Sequence, residues 1–537
     1  MKILDCTLRD GGYYNNWDFD FTKARELIMA LNESGVDIIE VGYKSCDNSG
    51  FGGLFKYCNE SMLQYLKDYT HSEYAFMIDI KEFMVGDQVN LTALDQCVQP
   101  TNISVFSWVR LASHFSTLHA VPEFINYFKE KGYQICFNLM GGSLLSDDQI
   151  LEAIGTVNDN PPEVFYIADS FGSFYEEDIK RLIKLIKAAF KGKIGIHTHD
   201  NQGMAFANTL AAIEAGVDFV DGTVTGMGRG AGNLAIEQFL QKFADVDGSG
   251  KYKPNALLEI INSYILPLKN QYQWGFNYVY MLSGLKNIHP TYCQNLSEGN
   301  RYTISQMSDI LERIPAENRA KYNKKVLQEA IKEVLENQAP ATDTITLPDN
   351  FSYNAKAVLI VAKGSSVVNH QLALELFVRE KNLLIIECND TGYFQGWDNR
   401  IISILNEVKL NHYLEKHKED HLPIITGQNS INKNHSHTNV FHQSFHLGRF
   451  RLNEDKSITI PDYDAGFYAI GLAVKYGATS IYLAGFDGFD EEERNKLVDG
   501  HFKEIMEEMK VLNIEMEAIT PTVYQHLNKT SVYAYLP

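Results

Sequence analysis

The chain has 537 residues, which exceeds the size of one ordinary hydrophobic core and predicts two or three domains. Its formal net charge of −20, without a strongly basic stretch, argues against a nucleic-acid partner because phosphates would be repelled. No apolar run approaches the roughly 18–20 residues that span a bilayer, and the N-terminus has the pattern of a strand, not of a signal peptide. Seven scattered cysteines fit reduced thiols better than a disulfide framework, so we expect a cytoplasmic protein.

Strand-like apolar runs alternate with helix-period segments through the first part of the chain. The predicted strands are residues 2–8, 36–42, 74–80, 103–111, 133–139, 163–169, 193–199 and 217–223. The predicted helices between them include residues 21–34, 120–131, 176–189 and 204–215. Eight strand–helix units in roughly 240 residues predict a TIM (β/α)8 barrel. A doubly wound open sheet is the alternative, but it usually has fewer strands and a phosphate-binding glycine turn after the first.

The seventh predicted strand ends in I-G-I-H-T-H-D-N, residues 194–201. Side chains alternate along a strand, so His197 and His199 share a face and lie roughly 7 Å apart, close enough to bind one metal ion. Such a pair also arises by chance. The first predicted strand, however, ends in L-R-D-G-G, with Arg9 and Asp10. In a barrel only strand eight separates strands one and seven, so Asp10 can complete a carboxylate-plus-two-histidine site at the C-terminal mouth.

Other polar residues are predicted at the same mouth, where their burial would be costly without a ligand. Glu40 lies near the end of predicted strand two, and Asp169 and Ser170 lie at the end of strand six. The glycine-rich stretch G-M-G-R-G-A-G-N, residues 226–233, follows strand eight.

These motifs together resemble the DRE-TIM metallolyase (HMGL-like) superfamily. It includes isopropylmalate synthase, hydroxymethylglutaryl-CoA lyase and 4-hydroxy-2-oxovalerate aldolase. The resemblance covers roughly residues 1–240, and residues 274–292 are similar to the segment after the barrel in the 4-hydroxy-2-oxovalerate aldolase branch. It implies a metal held by Asp10, His197 and His199, with Asn233 as a further ligand.

Two imidazoles, a carboxylate and an amide oxygen suit Mn²⁺ or Mg²⁺, with Co²⁺ and Zn²⁺ as alternatives. A 2-oxo acid such as pyruvate would bind at the open positions, and the metal would act as a Lewis acid on the developing enolate. Arg9 is expected to offer a cationic donor to the same oxygen, against a structural ion pair as the alternative. Glu40 is expected to orient Arg9 or a water molecule, or to be a rim charge.

One position departs from the aldolase branch, in which a histidine three residues after the metal aspartate is the proposed base. Here that position is Tyr13, and a tyrosine is a poor base at neutral pH. Tyr13 could donate a hydrogen bond to an aldehyde oxygen, be activated near the metal, or serve as an aromatic lid.

Asp169, Ser170 and Arg229 are predicted substrate contacts. Arg229 would bind a carboxylate or phosphate, with simple loop solvation as the alternative. A Claisen-type acyltransferase or synthase fits less well, because the catalytic-cysteine signature of the acyl-CoA branch is missing from the loop after strand eight.

The predicted domains are a barrel at residues 1–250, a helical extension and linker at 251–345, and a Rossmann-like α/β domain at 346–537. The boundary is placed near 343–350, where prolines and aspartates replace large apolar residues.

The last domain opens with A-V-L-I-V-A-K-G-S-S, an apolar strand followed by a glycine turn. Gly364, Ser365 and Ser366 form a possible nucleotide or phosphate site, although the absence of G-x-G-x-x-G argues against a dinucleotide. Short motifs here resemble sialyltransferase-like and flagellin-modification-associated domains. A polar stretch holds four histidines that could bind phosphate or metal or be incidental: His435, His437, His442 and His446.

We therefore expect a metal-dependent carbon–carbon lyase (an aldolase, EC 4.1.3-like) that joins a pyruvate-type enolate to an aldehyde or cleaves the reverse bond. The C-terminal domain would bind or process the product, and a homo-oligomer is expected. In the alternative, the barrel is a scaffold and the C-terminal domain is a transferase acting on a nucleotide or sugar derivative.

Overall fold

A computed structural model describes residues 1–47, 49–64, 66, 71–247, 250–297, 301–336, 356–417, 422–427, 440–443, 445–453, 457–489 and 491–536. The chain divides into two compact units. The first comprises Met1–Asn295 with Leu311–Lys324, and the second comprises Leu296–Ile310 with Lys325–Pro537. The predicted linker at 343–350 lies outside the described residues, and the domain boundaries stay a prediction.

The first unit contains a closed barrel of eight parallel strands, which confirms the predicted TIM barrel. Neighbours follow chain order around the barrel, and the last strand pairs with the first. The strands are β1 (Lys2–Asp5), β2 (Ile38–Tyr43), β3 (Glu73–Asp79), β4 (Trp108–Ser113), β5 (Gln134–Leu139), β6 (Val164–Asp169), β7 (Lys193–Thr198) and β8 (Phe219–Gly222).

Several predicted strand bounds differ from the structure, and the two largest differences have local causes. The first strand ends at Asp5, because its carboxylate accepts hydrogen bonds from the Thr7 amide (3.0 Å) and hydroxyl (2.7 Å) and turns the chain into a short helix. The fourth begins at Trp108 and not at residue 103, because the amides of residues 103 and 104 bond back to the Pro100 carbonyl. The seventh ends at Thr198, one residue before His199.

Helices follow the barrel strands and cover the outside of the barrel. Helix α8 buries Ile179, Leu182, Ile183 and Ile186, one stripe at helical spacing that packs on the strands. The helices are α1 (Thr7–Gly11), α2 (Phe21–Glu33), α3 (Leu54–Tyr57), α4 (Glu60–Leu63), α5 (Leu91–Cys97), α6 (Val121–Glu130), α7 (Asp147–Val157), α8 (Glu176–Ala189), α9 (Ala205–Ala215) and α10 (Ile236–Asp247). A two-stranded hairpin, Met84–Val85 with Gln88–Val89, follows β3.

Further helices follow the barrel strands in the chain. They are α11 (Leu258–Ile260), a π-helical turn (Ile261–Ile265), α12 (Leu266–Tyr272), α13 (Tyr278–Leu285), α14 (Pro290–Ser297), α15 (Ile304–Arg313), α16 (Ala316–Arg319) and α17 (Lys324–Glu336). No described helix is both long enough and apolar enough to cross a membrane.

The second unit contains an open parallel sheet, which confirms an α/β fold for the C-terminal part. Its strands are β9 (Ala357–Val361), β10 (Leu384–Cys388), β11 (Arg400–Ile404), β12 (Ile424–Thr426), β13 (Val440–His442), β14 (Ser480–Ala484), β15 (Glu515–Ala518) and β16 (Asn528–Lys529). Their order is β13-β12-β11-β10-β9-β14-β15-β16, so the direction of winding reverses between β9 and β14.

The helices of the second unit are α18 (Ser366–Asn369), α19 (Gln371–Lys381), α20 (Glu407–Lys416), α21 (Ala465–Lys475) and α22 (Glu492–Val511). A small sheet also forms, from Phe445–Leu447, Arg451–Leu452 and Ile458–Ile460.

Candidate active site in the barrel

Three predicted metal ligands converge at the mouth of the barrel. Asp10 lies in α1, His197 lies in β7, and His199 follows that strand; all three are buried. Their ligand atoms lie within 4.8 Å of one another. The two Nε2 atoms are 3.2 Å apart, and Nε2 of His197 is 3.6 Å from Oδ2 of Asp10.

The pairing of β8 with both β1 and β7 brings these residues together, and β8 also supplies Asp221. Oδ2 of Asp221 lies 3.0 Å from Nδ1 of His197. An ionised carboxylate only accepts, so Nδ1 of a neutral His197 carries the proton. The lone pair is then on Nε2, the nitrogen near His199 and Asp10, as a metal ligand requires.

Neighbouring charges set the protonation of the three groups. Burial by itself would raise the pKa of Asp10, but Arg9 and His197 hold it well below its usual range. Burial would lower the pKa of His197, yet hydrogen bonds with Asp10 and Asp221 raise it. Burial and the adjacent His197 lower the pKa of His199 to about 3. Near neutral pH, Asp10 is therefore ionised and the His199 ring is neutral, the state in which an imidazole can bind a cation.

The donor set fits a divalent cation. Two imidazole nitrogens and a carboxylate oxygen lie within 4.8 Å of one another, close to the spacing of ligands around one divalent ion. Nδ2 of Asn233 donates to Oδ2 of Asp10 at 2.6 Å, while the buried Oδ1 of Asn233 has no hydrogen-bond partner among the described residues. Buried polar atoms are rarely left unbonded, so this oxygen is a candidate fourth ligand.

The loop before Asn233 depends on glycine. Gly232 has φ of +76°, and a Cβ there would lie 1.9 Å from the carbonyl oxygen of Gly226. The loop therefore closes tightly, and Asn233 forms an isolated bridge with His199.

A buried ion network is bonded to Asp10 and His197. Arg9 donates from Nη1 to Asp10 at 2.6 Å and from Nε to Oε2 of Glu40 at 2.9 Å. The same Glu40 oxygen accepts from Nη1 of Arg110 at 3.0 Å, and Arg110 also donates to Asp221. Glu40 is the third residue of β2 and does not line the cavity described below, so it acts on the site through Arg9.

Sequence reasoning missed Arg110 and Asp221. Both are charged residues inside apolar strand runs, W-V-R-L-A and F-V-D-G, and both are completely or almost completely buried. A charged residue in such an apolar run is unusual unless it is paired with an opposite charge. This feature of the sequence could have identified both residues.

A cavity of about 590 Å³ opens over this network. Seven of the predicted site residues line it: Arg9, Asp10, Tyr13, Ser170, His197, His199 and Arg229. It is also lined by polar residues that the sequence did not single out: Tyr43, Asp79, Lys81, His114, Ser116, Asn138, His289 and Lys321.

Tyr13 lies at the solvent side of the cavity and is 43% exposed. Its hydroxyl is 3.0 Å from that of Tyr43, and the guanidinium of Arg229 lies 5.1 Å from the centre of its ring. Burial and the nearby Tyr13 raise the pKa of Tyr43, which therefore keeps its proton.

Asp169 and Ser170 have different surroundings. The Asp169 carboxylate accepts from the amides of Ser173 (2.8 Å) and Phe174 (3.3 Å) and does not line the cavity; burial raises its pKa to about 7. Ser170 does line the cavity, and its Oγ accepts from the Gly141 amide at 2.9 Å.

In the C-terminal sheet, a carboxylate already occupies the turn at Gly364–Ser366. Oδ2 of Asp487 accepts from the Ser366 amide at 2.8 Å, and the Ser366 hydroxyl donates to Oδ1. A Cβ at Gly364 would lie 2.4 Å from this carboxylate. An anion is thus bound where a phosphate was predicted, and nucleotide binding stays a prediction. His435 and His437 lie outside the described residues.

The barrel sequence matches a known family. Residues 100–262 match the family model described as HMGL-like. The barrel domain is HMGL-like. This confirms the resemblance predicted from the motifs and the expected class of enzyme, a lyase.

Curated relatives align with this HMGL-like chain over about half its length. An oxaloacetate decarboxylase of Mycobacterium tuberculosis is 27% identical over 236 residues, 44% of this chain and 67% of the relative. A 4-hydroxy-2-oxovalerate aldolase of Carboxydothermus hydrogenoformans is 27% identical over 278 residues, 50% of this chain and 77% of the relative. A solved N-terminal domain of a candidate aldolase from Bacteroides vulgatus is 32% identical, with a TM-score of 0.49; the match covers 55% of this chain and 96% of that domain.

The resemblance of the C-terminal part to sialyltransferase-like domains stays a prediction.

Proposed function

We propose that the HMGL-like domain is a divalent-metal-dependent aldolase that joins the enolate of a pyruvate-type 2-oxo acid to an aldehyde, or cleaves the reverse bond. One observation carries this proposal. Asp10 and the neighbouring pair His197 and His199 come from opposite ends of the barrel sequence, yet their ligand atoms converge within 4.8 Å beside a cavity that Arg9 also lines.

Asp10, His197 and His199 would hold the ion, with Oδ1 of Asn233 as a further ligand. Mn²⁺ or Mg²⁺ suits this nitrogen–oxygen set, as do Co²⁺ and Zn²⁺. The bound ion would supply Lewis-acid stabilisation of negative charge on the keto oxygen of the 2-oxo acid.

Arg9 would provide a fixed positive charge to the same substrate. Its Nε and Nη1 bond Glu40 and Asp10, and its Nη2 has no hydrogen bond within the described part of the chain. Glu40 and Arg110 restrain the guanidinium before substrate arrives, so little reorganisation opposes stabilisation of the enolate oxygen. Arg9 and the ion would thus act on one developing charge.

Tyr13 and Tyr43, at the cavity mouth, would carry out the proton transfer to the aldehyde substrate. In the addition step, the enolate carbon attacks the aldehyde carbon and the aldehyde oxygen becomes an alkoxide. The Tyr13 hydroxyl would donate the proton that this oxygen takes up, and it would be reprotonated by solvent directly or through the Tyr43 hydroxyl 3.0 Å away.

Proton exchange tests the enolate chemistry directly. The full chain is incubated with pyruvate in heavy water with Mn²⁺, and loss of the methyl signal is followed by NMR. We expect metal-dependent exchange that a chelator or Asp10→Asn abolishes. Asp148→Asn, an exposed acid on an outer helix, is the matched control and should exchange normally. Absence of exchange across a panel of 2-oxo acids, with no Mn²⁺ bound, would refute the aldolase.

Decarboxylation of a 2-oxo acid is the second candidate, and the similarity to the oxaloacetate decarboxylase of Mycobacterium tuberculosis favours it. Breaking the bond between the distal carboxylate and the methylene carbon of oxaloacetate releases CO₂ and leaves the same pyruvate enolate. Release of CO₂ faster than with Mn²⁺ alone would support this reaction, and it should share the dependence on Asp10.

For the C-terminal sheet we propose a role in binding or processing the product, with a nucleotide or sugar derivative as its ligand. Its pairing with the barrel in one chain motivates this role. Comparing product turnover by the full chain in the presence and absence of nucleotides would test it.

A further inference from the structure

Five basic side chains line the barrel cavity in addition to Arg9 and the two metal histidines. They form what we call the cationic wall: Lys81, His114, Arg229, His289 and Lys321. Of these, only Arg229 was singled out from sequence. The wall is notable because the chain as a whole carries a formal net charge of −20.

The charges of the wall are not neutralised within the cavity. The lining carboxylates are Asp10, which pairs with Arg9, and Asp79. Lys81, Arg229 and Lys321 make no ion pair with a carboxylate in the part of the chain described, which leaves an excess of two positive charges. The buried Nε of Arg229 also has no hydrogen-bond partner there. Unpaired cations lining a concave site favour an anionic ligand.

The positive charges of the wall also affect the pKa values of its two histidines, His114 and His289. Burial, together with the positive charges of Lys81 and Arg229, lowers the pKa of His114 against the opposing effect of Asp79. Burial, Arg229 and His114 lower the pKa of His289 to about 4. Both rings are therefore neutral near pH 7 and offer hydrogen bonds without adding charge. Nδ1 of His289 accepts from the Thr291 amide, which leaves the proton on Nε2.

The cavity has room for more than a small donor acid. Pyruvate has about six non-hydrogen atoms, which at roughly 30 Å³ each, the share of a liquid water molecule, occupy no more than about 180 Å³. The cavity volume of about 590 Å³ leaves most of its space for a second substrate.

We propose that the second substrate is an aldehyde carrying a phosphate monoester, and that Lys81, Arg229 and Lys321 bind the phosphate. A phosphate monoester carries about −1.5 to −2 charges at pH 7, which matches the excess of two positive charges. Its three terminal oxygens accept several charge-assisted hydrogen bonds, for which the guanidinium, two ammonium groups and imidazole donors are suited. The identification of the ligand as an aldehyde rests on the proposed function; the anion site does not.

Binding of an unreactive analogue tests the anion site without catalysis. The full chain is titrated by calorimetry with glycerol 3-phosphate, glycerate and glycerol, with a chelator present so that no metal–phosphate contact contributes. We expect glycerol 3-phosphate to bind at least about tenfold more tightly than glycerate, and glycerol not to bind. Equal affinity for glycerate, or no binding of glycerol 3-phosphate, would overturn the proposal.

Charge-removing variants locate that binding. Lys81 and Lys321 are exposed, so Lys81→Gln and Lys321→Gln should fold, and each should weaken glycerol 3-phosphate about fivefold. Lys184→Gln removes an exposed lysine from the outer helix α8 and should have no effect. If the two wall variants bind like Lys184→Gln, the phosphate does not bind at the wall and the proposal is wrong.

Kinetics with paired acceptors connect the anion site to the reaction. With Mn²⁺ and pyruvate, we expect kcat/KM for glyceraldehyde 3-phosphate to exceed that for glyceraldehyde at least tenfold, and Arg229→Gln to reduce this ratio. Pyruvate exchange without binding of glycerol 3-phosphate would leave the aldolase intact and refute the phosphate site. Binding at the wall without Mn²⁺ binding, and without exchange of any 2-oxo acid in the panel, would keep the anion site and refute the aldolase.

Discussion

Two turns at the C-terminal ends of parallel strands carry polar residues that suggested ligand sites, and they differ in how those residues are satisfied. In the barrel, Oδ1 of Asn233 and Nδ1 of His199 are buried and have no hydrogen-bond partner among the described residues. In the C-terminal sheet, the amide and hydroxyl of Ser366 are both bonded to Asp487.

The two turns differ in whether their polar groups are still available to bind a ligand. Polar residues at strand ends mark where a site can form, but groups that already hydrogen-bond to other protein groups have no need of a ligand. Leaving buried polar groups without hydrogen bonds destabilises the folded protein, and a bound metal ion or substrate can offset that cost. By this criterion the barrel mouth is the stronger site, and the following predictions test that ranking.

The largest effect is expected at the proposed metal ligands. His199→Ala removes one of three converging ligands, and we expect pyruvate exchange to fall at least about 100-fold. His119→Ala, on the exposed part of the helical turn after β4, is the matched control. Exchange and Mn²⁺ affinity that both survive His199→Ala would place the chemistry elsewhere and remove the contrast between the two turns.

Asp221→Asn should weaken Mn²⁺ binding by about 10–100-fold without touching a ligand. The carboxylate holds the proton on Nδ1 of His197, and loss of such a partner lowers metal affinity by this amount. Calorimetry gives the dissociation constant. Asp218→Asn, three residues earlier and bonded to the Ile194 amide, should bind Mn²⁺ normally. Equal affinities of the two variants would show that Asp221 has no positioning role.

Asp5 should make the free energy of unfolding depend on pH. Burial raises the pKa of this carboxyl from 3.8 to about 7, so the folded state holds a proton that the unfolded state loses. Stability should therefore fall as the pH rises through this range. Asp5→Asn cannot ionise, so between pH 5 and pH 8 the wild type should lose about 2–3 kcal/mol relative to the variant.

Urea unfolding of both proteins at the two pH values measures this difference. A constant difference between wild type and Asp5→Asn would show that Asp5 keeps its ordinary ionisation. Asp10 is also buried, but its carboxyl behaves differently from that of Asp5. The carboxyl of Asp10 is held ionised by its bond to Arg9, and Asp5 has no such cation beside it among the described residues.

The smallest effect is expected at the C-terminal turn. Asp487→Asn replaces charge-assisted hydrogen bonds to Ser366 by neutral ones, and we expect a loss of about 1 kcal/mol in thermal unfolding. A nucleotide phosphate that binds this turn should bind Asp487→Asn more tightly, because the repulsion between two anions is removed. Tighter binding of a nucleotide by the wild type would reverse our ranking of the two turns.

Much of the fold followed from local patterns. Strand and helix periodicity predicted the barrel, and the bounds of α8 agree with the predicted segment 176–189. The prediction failed where a contact overrides the local pattern. The Asp5 carboxylate bends the chain at Thr7, so Arg9 and Asp10 lie in a helix and not in a strand. Glu40, predicted near a strand end, lies inside β2 and bonds two arginines.

The sequence by itself predicted the candidate ligand types and placed them near the C-terminal ends of the barrel strands, because side-chain alternation and strand–helix spacing are local properties of the chain. Only the tertiary structure decided which distant groups act on them. Arg110 and Asp221 meet Glu40 and His197 through the register of the barrel strands, and the cationic wall assembles from loops after different strands together with the segments that hold His289 and Lys321. Such contacts depend on sheet closure, which no local pattern encodes, and the same holds for the carboxylate of Asp487 at the Ser366 turn.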